Sequence, residues 1–337
     1  MLVHRRATHR VVLGGLLAAP WLTPRTARAA EPLSLVLNWT PTADHAPYYY
    51  AKAKGWYAEA GIDLTIEVGR GSAASAQRVA AGAAQLGIVD MATGLLARSK
   101  GANIVALMAV YANSPQTFYW LKPSGITGPK DFPGHSIGNP PGDAARAMWP
   151  AFARKVGIDP TSVRFVNIAP TAKIQSLRAG AIDITSDFYN EHDLKVQEFG
   201  DQLKFLMWRD IGLNTYGNSV FANGDVLAQK PQLVGDFVRV SQRAFAACVA
   251  DIRPGLAALL AAVSGLSEAN QLHQWERIKE LMRDPTTVQV ALGAYNPDRV
   301  AADVELLRAY LPEMQPMPVE QSYSNRFLDH AIRMTAA

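Results

Sequence analysis

Up to about residue 230, short apolar runs alternate with longer stretches of helical spacing. The runs predict strands over 33–38, 62–68, 85–89 and 104–111. Between them, i, i+3, i+4 spacing predicts helices over 47–60 (closed by Gly61), 72–81 and 92–100. The rhythm then restarts. Strands are predicted over 117–121, 136–138, 163–167, 182–185, 205–209 and 219–222, with a turn over 129–132 and helices over 143–156 and 172–179. Strand–helix alternation of this kind predicts α/β architecture with mostly parallel sheets flanked by helices. Beyond Pro231 the pattern is helical nearly to the end, over 232–252, 257–263, 268–283 and 299–310.

Two α/β halves exceed what one small core needs, so the chain reads as two lobes. The expected division is residues 30–115 with about 223–337 in lobe 1 and 116–222 in lobe 2. In such a fold a ligand sits at the carboxyl ends of parallel strands, between the lobes. The loops that matter are then 38–50, 69–75, 90–93, 113–116, 138–143, 169–173 and 186–192.

The first 29 residues read as a secretory leader. Arg5, Arg6 and Arg10 precede an apolar stretch over 11–22, and Ala27-Arg28-Ala29 offers small residues at a cleavage spacing. The apolar run is too short to span a bilayer. Arg5-Arg6 raises twin-arginine export as an alternative to the general route, although the following Ala-Thr-His-Arg matches that signal poorly. The whole chain carries a formal charge of +4; without the five leader arginines it becomes −1. No basic field remains to bind nucleic acid. The single cysteine, Cys248, forbids an intrachain disulfide and reads as a small buried hydrophobe. A periplasmic monomer is expected, with neither lipid anchor nor membrane-spanning helix.

The segment Leu37-Asn38-Trp39-Thr40-Pro41-Thr42-Ala43-Asp44-His45-Ala46-Pro47, with Ala51-Lys52-Ala53-Lys54-Gly55-Trp56-Tyr57 and Ala60-Gly61-Ile62-Asp63-Leu64, resembles one family. It is the ABC-transporter substrate-binding family of thiamine-pyrimidine-precursor, riboflavin and alkanesulfonate binders. The resemblance continues through Gly71-Ser72 and Ala81-Gly82-Ala83-Ala84-Gln85-Leu86-Gly87-Ile88-Val89-Asp90, with echoes at Ala179-Gly180-Ala181-Ile182-Asp183 and Asn190-Glu191. Leu37-Asn38-Trp39 and the following His45 look most similar to the pyrimidine-precursor branch. The resemblance implies a two-lobed periplasmic-binding-protein fold of type II, joined by two crossing segments, delivery of a small molecule to a membrane permease, and no catalysis. One enzyme branch of the family, a pyrimidine synthase, uses a lysine-bound pyridoxal phosphate and a cysteine cluster. The matching positions here look like Val89 and Thr93, and one cysteine makes no cluster, so no cofactor is expected.

Several residues are candidates for ligand contact. Trp39 can stack on a planar ring or serve as a core residue. Asp44 can contact ligand or cap the next helix; His45 can donate a hydrogen bond, touch a ring or be structural. The remaining histidines show no metal-ligand spacing. Of the consecutive Tyr48, Tyr49 and Tyr50, Tyr48 and Tyr49 are chosen to face the cleft. Gly71 and Ser72 open a helix whose free N–H groups suit an anion or carbonyl, though such turns are also ordinary packing. Asp90 and Thr93 can accept from an amino group or cap a helix, and Asp143 reads as a helix cap. Tyr189, Asn190 and Glu191 follow a strand, and Glu191 can accept paired hydrogen bonds from an aminopyrimidine edge. The ligand expected is a planar heteroaromatic; a sulfonate or aromatic carboxylate held at Gly71 and Ser72 is the alternative. A receptor in place of a permease is an open alternative for the partner.

Overall fold

The computed structural model describes Met1 and residues 30–335; apart from Met1, the expected leader lies outside the described residues. The strands in chain order are β1 (Glu31–Val36), β2 (Ile62–Glu67), β3 (Leu86–Asp90), β4 (Ile104–Ala109), β5 (Gln116–Leu121), β6 (Ser136–Asn139), β7 (Arg164–Asn167), β8 (Ile184–Phe188), β9 (Leu203–Met207) and β10 (Asn218–Asn223). They form two five-stranded sheets, ordered β2-β1-β3-β10-β4 and β7-β6-β8-β5-β9. β1 pairs in parallel with β2 and β3, and β6 with β7 and β8.

The antiparallel exceptions are β10, set between β3 and β4, and β5, set between β8 and β9. Both follow from the crossings. The chain leaves the first sheet after β4 and enters the second by the edge that faces the first, so β5 runs opposite to its neighbours. The return through 208–217 imposes the same reversal on β10. The strand expected over 219–222 therefore belongs to the first sheet, which corrects the placement of that segment in lobe 2.

Burial follows strand position. Every residue of β3 is buried, as befits a central strand covered on both faces, whereas edge strand β7 has no buried residue. Gly87 lets helix Ser72–Ala80 settle close on β3: a Cβ there would lie 2.6 Å from the Val79 side chain. Two helices are shorter than their spacing predicts. The 47–60 pattern breaks at Gly55, whose φ of +74° ends helix Ala46–Ala53 before Trp56–Glu59 begins. The 143–156 pattern breaks at Met148 because Pro150 lacks the N–H that a continuous helix needs, leaving Ala144–Ala147 and Trp149–Lys155.

The C-terminal helices return to the first sheet. Val234, Phe237, Phe245, Leu256 and Trp275 join Leu33, Leu35 and Ile88 in one buried cluster. Cys248 is buried there too. Helix Glu268–Met282 also packs against the segments carrying His45 and Glu191, so it borders the space between the sheets. Among the described residues no single helix is long and apolar enough to cross a membrane.

Candidate functional site

The strand ends of the two sheets face each other across a cavity of about 430 Å³ of unfilled space. Its lining draws on the loops after β1, β2, β6 and β7, on the end of β8 and the turn that follows it, and on Gln116 at the start of β5.

The first-lobe wall carries Asn38, Trp39, Asp44, His45, Gly71 and Ser72. The Thr42 N–H donates to His45 Nδ1 at 3.1 Å, which leaves the proton on Nε2 to donate to Asn38 Oδ1 at 3.0 Å. Burial lowers the His45 pKa, against an opposing pull from Asp44. His45 is thus a neutral ring with both nitrogens engaged, and it offers the cavity its surface rather than a hydrogen-bond donor. Asp44 caps no helix; its oxygens accept from Thr42 Oγ1 at 2.6 Å and from Asn218 Nδ2 at 3.1 Å. The proposed anion cradle is largely consumed by the protein. The Gly71 N–H donates to Asn38 O at 2.7 Å, and the Ala73 N–H crosses to Gly142 O on the other lobe at 3.1 Å. Ser72 Oγ accepts from the Asp90 N–H at 3.0 Å.

The second-lobe wall is a buried ionic network. Lys173, 3% exposed, donates to Asp143 Oδ2 (3.1 Å), Asp187 Oδ1 (3.0 Å) and Ser186 O (2.7 Å). Lys195, 1% exposed, reaches Asp187 Oδ2 at 2.6 Å. Burial alone would lower the Lys173 pKa, but Asp143 and Asp187 more than offset it and the ammonium is held. Burial likewise opposes ionisation of Asp187, and the two lysines overcome it. For Glu191 the balance tips the other way: burial, then repulsion from Asp187, pushes its pKa up to about 8 against the opposing pull of Lys195 and Lys173. At neutral pH it is mainly a carboxylic acid whose proton is shared in a hydrogen bond with Asp187, which leaves its other oxygen to accept. That replaces the expected charged acceptor with a neutral one. The walls meet where Lys173 Nζ stands 4.5 Å from the Trp39 ring centre.

Of the residues singled out in the sequence, Trp39, Asp44, His45, Gly71, Ser72, Asn190 and Glu191 come together here. Tyr48 does not: it is 1% exposed, with its ring 5.3 Å from Phe245 and 6.3 Å from Phe237 in the first-lobe core. Tyr49 packs half-buried against the same core. A helix beginning at Ala46 points these rings inward, because that face meets the C-terminal helices. Tyr189 lies outside the lining, with its ring stacked 5.0 Å from His192 and flanked at 5.4 Å by Arg209 and by Arg277. Asp90 and Thr93 sit behind the cavity, where Asp90 caps helix Met91–Ser99 by accepting from Thr93 N–H at 3.3 Å. Lys173, Ser186, Asp187 and Gln116 were missed as site residues. Their loops were legible; the buried lysine was not, because its carboxylate partners lie 30 and 14 residues away.

Two facing α/β lobes, crossed twice by the chain and enclosing a polar-walled cavity, define the periplasmic-binding-protein fold. Solved structures agree on that architecture. The alkanesulfonate-binding protein SsuA of Xanthomonas axonopodis pv. citri superposes with a TM-score of 0.68 at 12% identity, over 88% of this chain and 99% of its own. A protein of Bordetella bronchiseptica gives 0.71 at 19% identity, over 88% and 95%. The family model described as NMT1/THI5 like matches residues 42–252, and the chain belongs to that family. Among curated relatives, the riboflavin-binding protein RibY of Chloroflexus aurantiacus is 24% identical over 92% of this chain and 89% of its own length. The 4-amino-5-hydroxymethyl-2-methylpyrimidine phosphate synthase of Legionella pneumophila is 26% identical over 63% and 67%.

Proposed function

We propose that this protein is the solute-binding component of an ABC importer. It captures an uncharged planar heteroaromatic, such as a thiamine pyrimidine precursor or a related ring, outside the cytoplasmic membrane and presents it to a permease. The observation that carries the reading is the opposition of Trp39 and Glu191 in one interlobe cavity. An indole offers a stacking face worth about 0.5–1.5 kcal/mol beyond area burial. A neutral carboxyl oxygen can accept from the amino group on the edge of an amino-heterocycle. The charges argue in the same direction. Both lysines near the cavity are already paired with carboxylates, and Asp44 adds another acid to the wall. A sulfonate or carboxylate would meet acids without a free cation, at a high desolvation cost.

Capture proceeds by lobe closure about the crossings, and the closed form is the one delivered. The ligand leaves unchanged. At Val89, where the synthase branch is expected to carry its lysine, stands a buried aliphatic side chain with no amine for a Schiff base.

Calorimetry with aminopyrimidines, flavins, alkanesulfonates and aromatic acids tests the reading. A neutral ring should bind near or below micromolar Kd, about −8 kcal/mol, and Trp39→Ala should weaken it by about tenfold or more. Binding confined to the anions would refute it.

A further inference from the structure

Behind the ligand cavity, between the two crossing segments, lies a second, partly open pocket of about 310 Å³ with its mouth included. Asp90 comes to it from the end of β3, Gln116 from the start of β5 and Trp208 from the start of the second crossing. The three are 1%, 4% and 4% exposed. Trp208 Nε1 has no hydrogen-bond partner within the protein, and Asp90 Oδ2 and Gln116 Nε2 form no bond of good geometry, although Gln116 stands close enough to Asp90 to steady its charge. Buried polar groups are nearly always well paired, so these under-satisfied ones lining one space mark a place for a polar occupant. Gln116 also lines the ligand cavity, so its side chain is the partition between the two.

We infer that this chamber is a second subsite of the cleft, taking an uncharged, hydroxyl-bearing substituent of the ligand. The inference rests on the proposed binding of a ring in the main cavity. Its chemistry follows from the three atoms. Two are N–H donors and one is a carboxylate acceptor, and a hydroxyl can accept from Trp208 or Gln116 while donating to Asp90. An ammonium group has no acceptor for the two donors. An anionic group would face Asp90, on which burial and then repulsion from Asp143 already disfavour charge, and Asp303, on which burial and then Asp90 do the same. Asp90 Oδ1 holds Thr93, so Oδ2 is the oxygen left to receive a donor from the chamber.

The test compares two pairs of probes by calorimetry. One pair is 4-amino-5-hydroxymethyl-2-methylpyrimidine and 4-amino-2,5-dimethylpyrimidine; the other is riboflavin and lumiflavin. Within a pair the ring is shared and only the hydroxylated substituent differs. For the ring that binds, the hydroxylated member should be favoured by about tenfold or more. Trp208→Phe, which keeps the ring and removes the donor, and Asp90→Asn, which replaces the acceptor by a donor, should each bring that preference toward unity. Thermal unfolding of both variants establishes that they are folded. Equal affinities within the pair that binds, or a preference that survives both variants, overturn the subsite and leave ring binding standing. Failure of all four probes overturns both.

Discussion

Replacing Lys173 by Met removes the one cation that Asp143 and Asp187 share inside the second lobe. Breaking a buried ion pair from one side typically costs about 3–5 kcal/mol, because it strands an uncompensated charge. Here the partners are only partly stranded. Asp187 keeps Lys195 at 2.6 Å. Asp143 keeps the Ala145 N–H at 2.9 Å and the Ser186 hydroxyl at 3.1 Å. A ceiling comes from protonation: an aspartate of ordinary pKa near 3.9 can be neutralised for about 4 kcal/mol at pH 7 and about 1.5 kcal/mol at pH 5. The expected loss is therefore about 2–4 kcal/mol at pH 7, shrinking to about 1–1.5 kcal/mol at pH 5. Urea unfolding of Lys173→Met at both pH values, followed by circular dichroism, measures it. The double variant Lys173→Met/Asp143→Asn should recover part of the pH 7 loss. A loss below about 1 kcal/mol at pH 7, or one independent of pH, would show that the lysine is not the charge that holds these carboxylates together.

Glu191 sets a pH limit on ligand affinity. Its folded pKa of about 8 stands above the ordinary 4.5, so its share of stability is full below about 4.5 and is lost as pH climbs toward 8. If the neutral carboxyl holds the ligand, affinity should fall about tenfold per pH unit above about 8. Glu191→Gln, which keeps a donor and an acceptor, should flatten the curve; a flat wild-type profile would refute the role. Gly71→Ala should impair closure, because a Cβ there would overlap the Gly142 carbonyl across the cleft and the φ of +116° disfavours any side chain. Small-angle scattering should show the liganded variant more open than wild type, and identical curves would argue against direct lobe contact. Tyr48→Phe removes a buried hydroxyl without a partner and should leave ligand affinity unchanged, whereas Tyr48→Ala should lose about 3–5 kcal/mol of stability. A loss of affinity in Tyr48→Phe would return that residue to the cleft.

The path from pattern to site was uneven for physical reasons. Strands β1, β2 and β3 were legible because their apolar runs are short and bounded by Pro32 and Asn38, by Gly61 and Gly69, and by Gly82 and Asp90, and the loops after the first two duly carry Trp39, Gly71 and Ser72. Tyr48 was misjudged because three consecutive tyrosines have no polar face to contrast with, so the inward direction of the helix cannot be read from them. Asp90 was placed on the right loop but lies behind the ligand cavity rather than in its wall. Its position at a strand end is local, while the surroundings of its Oδ2 depend on where Trp208 and Gln116 arrive.

Local order was decided by the chain alone: the alternation of apolar run and helical spacing, and the set of loops at the strand ends. These follow from interactions within a few residues, where backbone freedom and side-chain period decide the outcome. Three features were settled only in three dimensions. They are the reversal of β5 and β10, the burial of Lys173 between acids from two different loops, and the neutral state of Glu191. Each depends on groups far apart in sequence meeting where water is excluded, and the free energy of a charge there is set by neighbours that the chain supplies only once it has folded.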